Sequence, residues 1–152
     1  MLLPHYRDIL RELSAAEADF LLVGAFAIAV HQYPRATGDI DLWVRPDPGN
    51  AVRVWQALAR FGAPVDDVSV DELSRPGFFY QVGLAPVRID ILTAIDGVSF
   101  EEAWNEREYH DLGGVTIPVI SRRHLLINKK ATGRPKDLAD AAMMEENRSD
   151  DA

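Results

Sequence analysis

Two aspartates separated by a single residue stand in segment 38–42, which reads Gly-Asp-Ile-Asp-Leu. Because successive side chains of a β-strand point to opposite faces, a strand here places Asp39 and Asp41 on the same face. An isolated pair of this kind is typical of a solvent-facing strand. The apolar residues around this pair indicate instead a strand whose other face is buried, and paired carboxylates on such a strand are the ligands that Mg²⁺ requires.

A third carboxylate, Asp90, lies within segment 87–92, which reads Val-Arg-Ile-Asp-Ile-Leu and predicts another strand. Burying an unpaired aspartate among apolar residues costs free energy, so Asp90 needs a partner. If this strand lies beside the strand of Asp39 and Asp41, three carboxylates converge and can hold two metal ions about 4 Å apart for in-line phosphoryl transfer. The alternative is an ion pair between Asp90 and Arg88 or another basic group.

Two further segments are suited to bind phosphate. Segment 21–25, Leu-Leu-Val-Gly-Ala, predicts a strand, a glycine turn and a helix start, whose backbone N–H groups suit an anion. A plain strand-to-helix turn is the alternative. Segment 121–136 contains six basic residues and no acid, which indicates a phosphate-binding surface or, alternatively, a solvated helix face. The basic residues are Arg122, Arg123, Lys129, Lys130, Arg134 and Lys136.

The elements that must position these residues follow from apolar periodicity, breakers and helix caps. Helices are predicted at 2–16, 25–31, 49–61, 100–104, 121–130 and 135–146. Strands are predicted at 19–23, 39–44, 78–84, 86–93, 106–110 and 115–119, the last four as two hairpins. Asp137 is expected to cap the last helix rather than to orient Arg134. His31, near a helix end, is expected to be structural.

The composition is that of a globular domain, since 47% of the 152 residues are hydrophobic and 26% are charged. A net charge of −8 argues against broad adhesion to nucleic acids, and the absence of cysteine leaves oxygen or imidazole as metal ligands. No run of about 18 uncharged apolar residues and no secretory signal pattern occur, so we expect a cytoplasmic protein without a membrane span. We expect one domain over 1–146 and a disordered acidic tail at 147–152.

The order and spacing of these motifs resemble the nucleotidyltransferase superfamily with the polymerase-beta-type fold. In that superfamily an apolar strand ends in a glycine turn, an Asp-X-Asp pair follows, and a third carboxylate lies on a later strand. Within it, the chain looks most like the small bacterial branch related to AbiEii-type toxins, through segments 23–27, 31–41 and 129–140. These segments extend the resemblance over nearly the whole chain.

This resemblance implies an α+β fold, in which helices surround a mixed β-sheet and further helices stand at the C-terminal end. It implies two Mg²⁺ or Mn²⁺ ions, with Asp39 and Asp41 bridging both, and with Asp90 on the ion that activates the acceptor and available as a base. The implied reaction transfers a nucleoside monophosphate from an NTP to a hydroxyl. The implied nucleotide-binding residues are Gly24, Ala25, Arg35, Thr37, Lys129, Lys130, Arg134 and Lys136.

The acceptor of such a transfer is an RNA or tRNA, a protein or a small molecule, and the sequence leaves these open. The resemblance also suggests a toxin of a toxin–antitoxin pair. Because 152 residues leave little chain for a separate acceptor-binding domain, we expect a second subunit, as in a homodimer, or a partner protein such as an antitoxin to complete acceptor recognition. Two other functions stay open: a non-catalytic nucleotide- or partner-binding module, and a metal-dependent phosphohydrolase. The three carboxylates favour an enzyme, whereas Ala25, which stands where the superfamily more often has Gly or Ser, favours the module.

Overall fold

A six-stranded mixed β-sheet forms the centre of the fold in the computed structural model of the chain. The structure describes residues 3–33, 38–84 and 87–147. Within these ranges the strands are β1 (Phe20–Val23), β2 (Ile40–Val44), β3 (Phe79–Leu84), β4 (Val87–Leu92), β5 (Glu108–Leu112) and β6 (Val115–Val119). The α-helices of the same ranges are α1 (Pro4–Ala15), α2 (Gly24–Val30), α3 (Pro48–Phe61), α4 (Val70–Leu73), α5 (Phe100–Asn105), α6 (Arg122–Thr132) and α7 (Pro135–Glu146).

The strands are arranged across the sheet in the order β3-β4-β2-β1-β6-β5. Strand β2 pairs in parallel with β4 and antiparallel with β1, while β1 pairs in parallel with β6. The hairpins β3–β4 and β5–β6 complete the two edges. A mixed sheet surrounded by helices is the α+β fold that the sequence predicts, so this prediction is confirmed.

The two central strands are buried because their side chains are apolar on both faces. All four side chains of β1 are buried, and within β2 only Asp41 is partly exposed. Helix α1 turns Ile9, Leu10 and Leu13 into the core, and it packs against α3 and β6. Asp41 is therefore a single polar position in an otherwise apolar central strand.

Most elements agree with the predicted ones to within a few residues, and α7 has the predicted ends at Pro135 and Glu146. Apolar periodicity predicts neither α4 nor the short 3₁₀ helix Val65–Asp67, because both are too short to show a periodic pattern. The capping box of Ser69 and Glu72 was the available signal for α4. The predicted turn at 85–86 and nearly all of the predicted tail lie outside the described residues.

Across the described ranges, no helix combines the length and the apolar character that crossing a membrane requires.

Candidate active site

The parallel pairing of β2 with β4 brings carboxylates from the two strands together. In this register Asp41 lies directly opposite Asp90, and Asp39 immediately precedes β2. All three aspartates line one cleft, which has a volume of about 660 Å³. The condition on which the sequence makes three carboxylates converge, that these two strands lie side by side, is met.

Two polar side chains hold these carboxylates in place. Arg88 donates a hydrogen bond from Nε to Oδ1 of Asp39 at 3.0 Å, and Gln81 donates from Nε2 to Oδ1 of Asp90 at 2.8 Å. Gln81 can do so because it lies opposite Asp90 in the β3–β4 register. The ion pair of Arg88 therefore goes to Asp39 and not to Asp90, the alternative that the sequence left open. Asp39 and Arg88 each lie one position before the paired residues at the start of the β2–β4 ladder.

The convergence of the carboxylates makes Asp41 costly to ionise. Burial and a hydrogen bond shared with Asp90 raise the pKa of the Asp41 carboxyl to about 7. The negative charges of Asp90 and Asp39 act in the same direction, and the Lys129 charge opposes them. Like charges this close are costly to ionise together, so the cluster favours a shared proton or a bound cation.

Gly24, at the turn from β1 into α2, lies against the carboxylate of Asp41 and leaves no room for a side chain. A Cβ atom at this position would lie 2.0 Å from Oδ2 of Asp41, and the backbone has a φ of +72°. Both the close approach and the positive φ require glycine, because L side chains rarely adopt this conformation. The turn thereby brings the backbone of Gly24 and Ala25 to the cleft.

Helices α6 and α7 supply another wall of the cleft, and Lys129 joins them. This lysine is 6% exposed, and its ammonium lies 3.1 Å from the Asp137 carboxylate and 3.4 Å from that of Asp140. Both acids are buried as well. The positive charge of Lys129 is therefore already compensated, and the ion pairs fix α6 against α7.

Asp137 collects three donors at the junction of α6 and α7: Lys129 at 3.1 Å, Thr132 at 2.7 Å and Arg134 at 2.6 Å. Burial raises the pKa of Asp137, but these hydrogen bonds outweigh it and lower the pKa to about 2. Asp137 does lie in the first turn of α7, where the sequence expects an acid that favours the helix dipole, but the N-cap residue is Arg134, which makes no side-chain cap bond. The expectation that Asp137 does not orient Arg134 is wrong. Asp137 also orients Arg134, because its carboxylate accepts a hydrogen bond from Nε of this arginine.

The donor set of the cleft fits hard divalent cations. Asp39, Asp41 and Asp90 offer carboxylate oxygens, which Mg²⁺ and Mn²⁺ prefer over nitrogen or sulfur. Burial is the largest cause of the raised pKa of Asp41, and repulsion from the carboxylates of Asp90 and Asp39 adds to it. A divalent cation at these oxygens would relieve that repulsion.

Comparison with known proteins agrees with this chemistry. Residues 3–148 match a family described as nucleotidyl transferase of unknown function (DUF2204). The chain belongs to this family. A crystal structure at 1.87 Å resolution of a "putative nucleotidyltransferase" from Thermotoga maritima is similar in fold, with a TM-score of 0.60 and 16% identity over 99% of this chain and 96% of that one. No curated protein matches the chain.

In this member of the nucleotidyl transferase family, most of the predicted nucleotide-binding residues that the structure describes line the cleft: Gly24, Ala25, Lys129, Arg134 and Lys136. Lys130 is not among the described residues of the lining, and its ammonium lies 3.1 Å from Glu145. Adjacent residues of an α-helix point about 100° apart, so Lys129 and Lys130 face different surroundings. Arg35 and Thr37, also predicted to bind the nucleotide, lie outside the described residues.

The predicted phosphate-binding surface at 121–136 is largely neutralised by acids from elsewhere in the fold. Arg123 pairs with Glu106, and Lys130 pairs with Glu145. The absence of acids within the segment therefore does not make a continuous positive surface in three dimensions. Only the C-terminal end of the segment lines the cleft.

Two further residues help to position the site, and neither apolar periodicity nor a sequence motif indicates this role. Tyr6 donates a hydrogen bond from its hydroxyl to the carbonyl of Gly38 at 2.6 Å, which anchors the backbone just before Asp39. Asn128 donates to the carbonyl of Asp96 at 2.9 Å and holds the loop that follows β4. Both contacts join residues that lie 32 positions apart along the chain, so periodicity does not reveal them.

Gly24→Ala is expected to destabilise the protein more than the matched substitution Gly133→Ala. The two glycines have nearly equal φ angles, +72° and +71°, but no atom lies within 4 Å of a Cβ built on Gly133. Gly133→Ala should cost about 1–2 kcal/mol of backbone strain alone. Gly24→Ala must also displace the Asp41 carboxylate. Chemical denaturation of both variants without metal measures the difference, and equal losses would contradict the close contact between Gly24 and Asp41.

Asp41→Asn is expected to make the metal-free protein more stable at alkaline pH. The native pKa of Asp41 is about 7 and the ordinary value is 3.8, so the native state binds this proton more tightly than the unfolded chain. The contribution of this proton to the stability of the wild type should therefore be fully present below about pH 4 and be lost as the pH rises to about 7. The variant lacks this loss, and its advantage should reach a few kcal/mol at about pH 8.

Melting temperatures in a metal chelator, measured from about pH 4 to about pH 8, test this prediction. Asp66→Asn removes the same charge from an exposed position and serves as the control. An Asp41→Asn variant that melts below the wild type at the alkaline end would show that the carboxylate stabilises the fold.

Proposed function

We propose that this protein is a metal-dependent nucleotidyltransferase that moves a nucleoside monophosphate from an NTP to a hydroxyl of an acceptor. The observation that carries the proposal is the β2–β4 register, which sets Asp41 opposite Asp90 beside Asp39. The raised pKa of Asp41 supports a role as a metal ligand, because a purely structural aspartate is normally stabilised by basic partners. Membership of the nucleotidyl transferase family supports the reaction class.

Asp39, Asp41 and Asp90 are the proposed ligands of two Mg²⁺ or Mn²⁺ ions. When bound, the ions would neutralise phosphate charge and polarise the acceptor hydroxyl. Asp41 lies opposite Asp90 in the β2–β4 register and two positions after Asp39, so Asp39 and Asp41 would hold the ions jointly, with Asp90 as the further ligand. The hydrogen bonds from Arg88 and Gln81 restrict the rotation of Asp39 and Asp90 and keep their carboxylates at the cleft.

The proposed reaction is an in-line displacement at the α-phosphorus of the NTP. The acceptor oxygen forms a bond to this phosphorus, the bond from the phosphorus to the oxygen that bridges to the β-phosphate breaks, and pyrophosphate leaves. Asp90 takes the proton of the acceptor hydroxyl, which makes it the general base. Its 8% exposure and its hydrogen bond with Gln81 keep this base at a fixed position.

The triphosphate is proposed to lie between the glycine turn and the start of α7. Arg134 and Lys136 are exposed and line the cleft, so they can contact phosphate oxygens directly. Lys129 is held by Asp137 and Asp140, which offset its charge, so its proposed role is to offer an ammonium N–H donor at a fixed place. The proposed nucleotide-binding residues are Gly24, Ala25, Arg35, Thr37, Lys129, Arg134 and Lys136.

The proposed acceptor is a hydroxyl of a tRNA or another RNA, of a protein or of a small molecule. We also propose a cytoplasmic location, and, on the sequence motifs, a place in the AbiEii-related branch and a toxin role. We include in the proposal a second copy of the chain or an antitoxin that completes acceptor recognition.

Incubation with NTPs labelled at the α-phosphate, Mg²⁺ or Mn²⁺, and total cellular RNA, protein and metabolites is expected to move label onto one acceptor class. Asp41→Asn and Asp90→Asn should each lower the rate of transfer by about 10²–10⁴-fold, because one removes a metal ligand and the other removes the base as well. Asp66→Asn is the matched control and should transfer label at the wild-type rate.

The position of the label separates the alternatives. Free phosphate released from a γ-labelled NTP without any labelled acceptor would indicate a phosphohydrolase. Saturable NTP binding with no transfer or hydrolysis would indicate a non-catalytic module. Transfer at the wild-type rate by Asp41→Asn would remove this residue from the mechanism.

Arg134→Ala and Lys136→Ala are each expected to raise the KM for NTP by about ten- to a hundredfold, which is the value of a charge-assisted hydrogen bond to phosphate. Mg²⁺ affinity should change much less, because neither residue is a metal ligand. Lys130→Ala serves as the control, since Lys130 pairs with Glu145 outside the cleft lining. A rise in KM for Lys130→Ala as large as for the other two variants would contradict the proposed triphosphate position.

A further inference from the structure

A second group of metal-binding side chains lies away from the carboxylate cleft. His31, Glu108 and His110 each offer one ligand atom, and these atoms all lie within 4.8 Å of one another. His31 follows α2 as its C-cap residue, while Glu108 and His110 stand on the edge strand β5. None of the three is among the residues that line the cleft.

Glu108 and His110 already have a spacing that suits a metal ion. They are two positions apart on β5, so their side chains point to the same face of the sheet. Nε2 of His110 lies 3.4 Å from Oε1 of Glu108. Neighbouring ligand atoms of a tetrahedral ion with bonds of about 2.0–2.1 Å lie about 3.3 Å apart. These two ligands therefore need little rearrangement to bind the same ion.

His31 is oriented by the backbone of the sheet. Its Nε2 lies 2.8 Å from the carbonyl oxygen of Ile120. A carbonyl only accepts hydrogen bonds, so Nε2 carries the proton and Nδ1 is the acceptor nitrogen of the neutral ring. Ile120 is fully buried, and its own N–H donates to the carbonyl of Leu22. A backbone carbonyl that fixes the tautomer in this way is the common outer partner of a metal-binding histidine.

The two imidazole rings are arranged edge to face rather than stacked. Their centroids are 5.6 Å apart and their planes are inclined at 80°. The side chains of His110 and Glu108 are 31% and 46% exposed, so the cluster is open to solvent on one side. An ion can enter from that side, and water can supply a fourth ligand.

We propose that His31, Glu108 and His110 bind one Zn²⁺ ion or a similar divalent transition metal, with water as the fourth ligand. Two imidazoles and one carboxylate select such ions over Mg²⁺, which prefers oxygen ligands. The ion ties the end of α2 to β5. Because α2 begins at Gly24 in the cleft, both ends of this helix are fixed. Contact with Asp41 holds its first residue, and the metal holds the residue that follows its last turn. The proposal does not depend on nucleotidyl transfer.

Calorimetric titration of the full chain, free of any affinity tag, with Zn²⁺ in millimolar Mg²⁺ tests this site. Mg²⁺ competes for the carboxylate cleft but not for imidazole. We expect one Zn²⁺ per wild-type chain and binding at least about a hundredfold weaker in His110→Gln and in Glu108→Gln. His5→Gln removes an exposed histidine on α1 and is the matched control. Both His5→Gln and Asp41→Asn should bind Zn²⁺ as the wild type does.

Co²⁺ provides a spectroscopic readout of the same site. Four-coordinate Co²⁺ with nitrogen ligands absorbs visible light far more strongly than six-coordinate Co²⁺ on oxygen ligands. The strong band should appear in the wild type and in His5→Gln and be absent in His110→Gln, with circular dichroism showing that all variants are folded. Three results would overturn the proposal: no Zn²⁺ binding by the wild type, wild-type affinity in His110→Gln, or loss of binding in Asp41→Asn.

Discussion

The parallel register of β2 and β4 places the carboxylates of Asp41 and Asp90 side by side next to the buried apolar residues of these two strands, and the rest of the cleft is built around this juxtaposition. Burial and mutual repulsion raise the pKa of Asp41 to about 7. The strand cannot slip to relieve the repulsion, because a shift by one residue would turn Asp41 to the face on which Ile40, Leu42 and Val44 are fully buried. The core thus enforces an electrostatically unfavourable arrangement.

The basic residues around the cleft do not remove this negative charge. Arg88 neutralises Asp39 on the sheet, whereas Lys129 is held between Asp137 and Asp140 on the helices. Two carboxylates already offset the positive charge of this lysine, so it stabilises a third carboxylate only weakly. The cleft is therefore suited first to cations and, once cations are bound, to a polyphosphate. This order agrees with a chain whose net charge is −8.

Helix α2 connects the two candidate metal sites although it has only seven residues. Its first residue, Gly24, is packed so closely against Asp41 that no side chain fits. The residue that follows its last turn, His31, is bonded to the carbonyl of Ile120 at the end of β6. A helix this short has little stability of its own, so contacts at its two ends determine where it lies. The orientation of the glycine turn in the cleft depends on both.

The sequence by itself determined the features that local rules govern. Period-two alternation placed Asp39 and Asp41 on one face, and the caps at Ser121 and Gly133 bounded α6, because each of these signals lies within a few residues. The tertiary structure alone decided which groups meet across long separations. In the folded chain Arg88 forms an ion pair with Asp39, and acids from other elements pair with the basic segment 121–136. Folding also places His31 beside β5. Strand order and register settle such contacts, and they depend on packing of the whole core rather than on any local pattern.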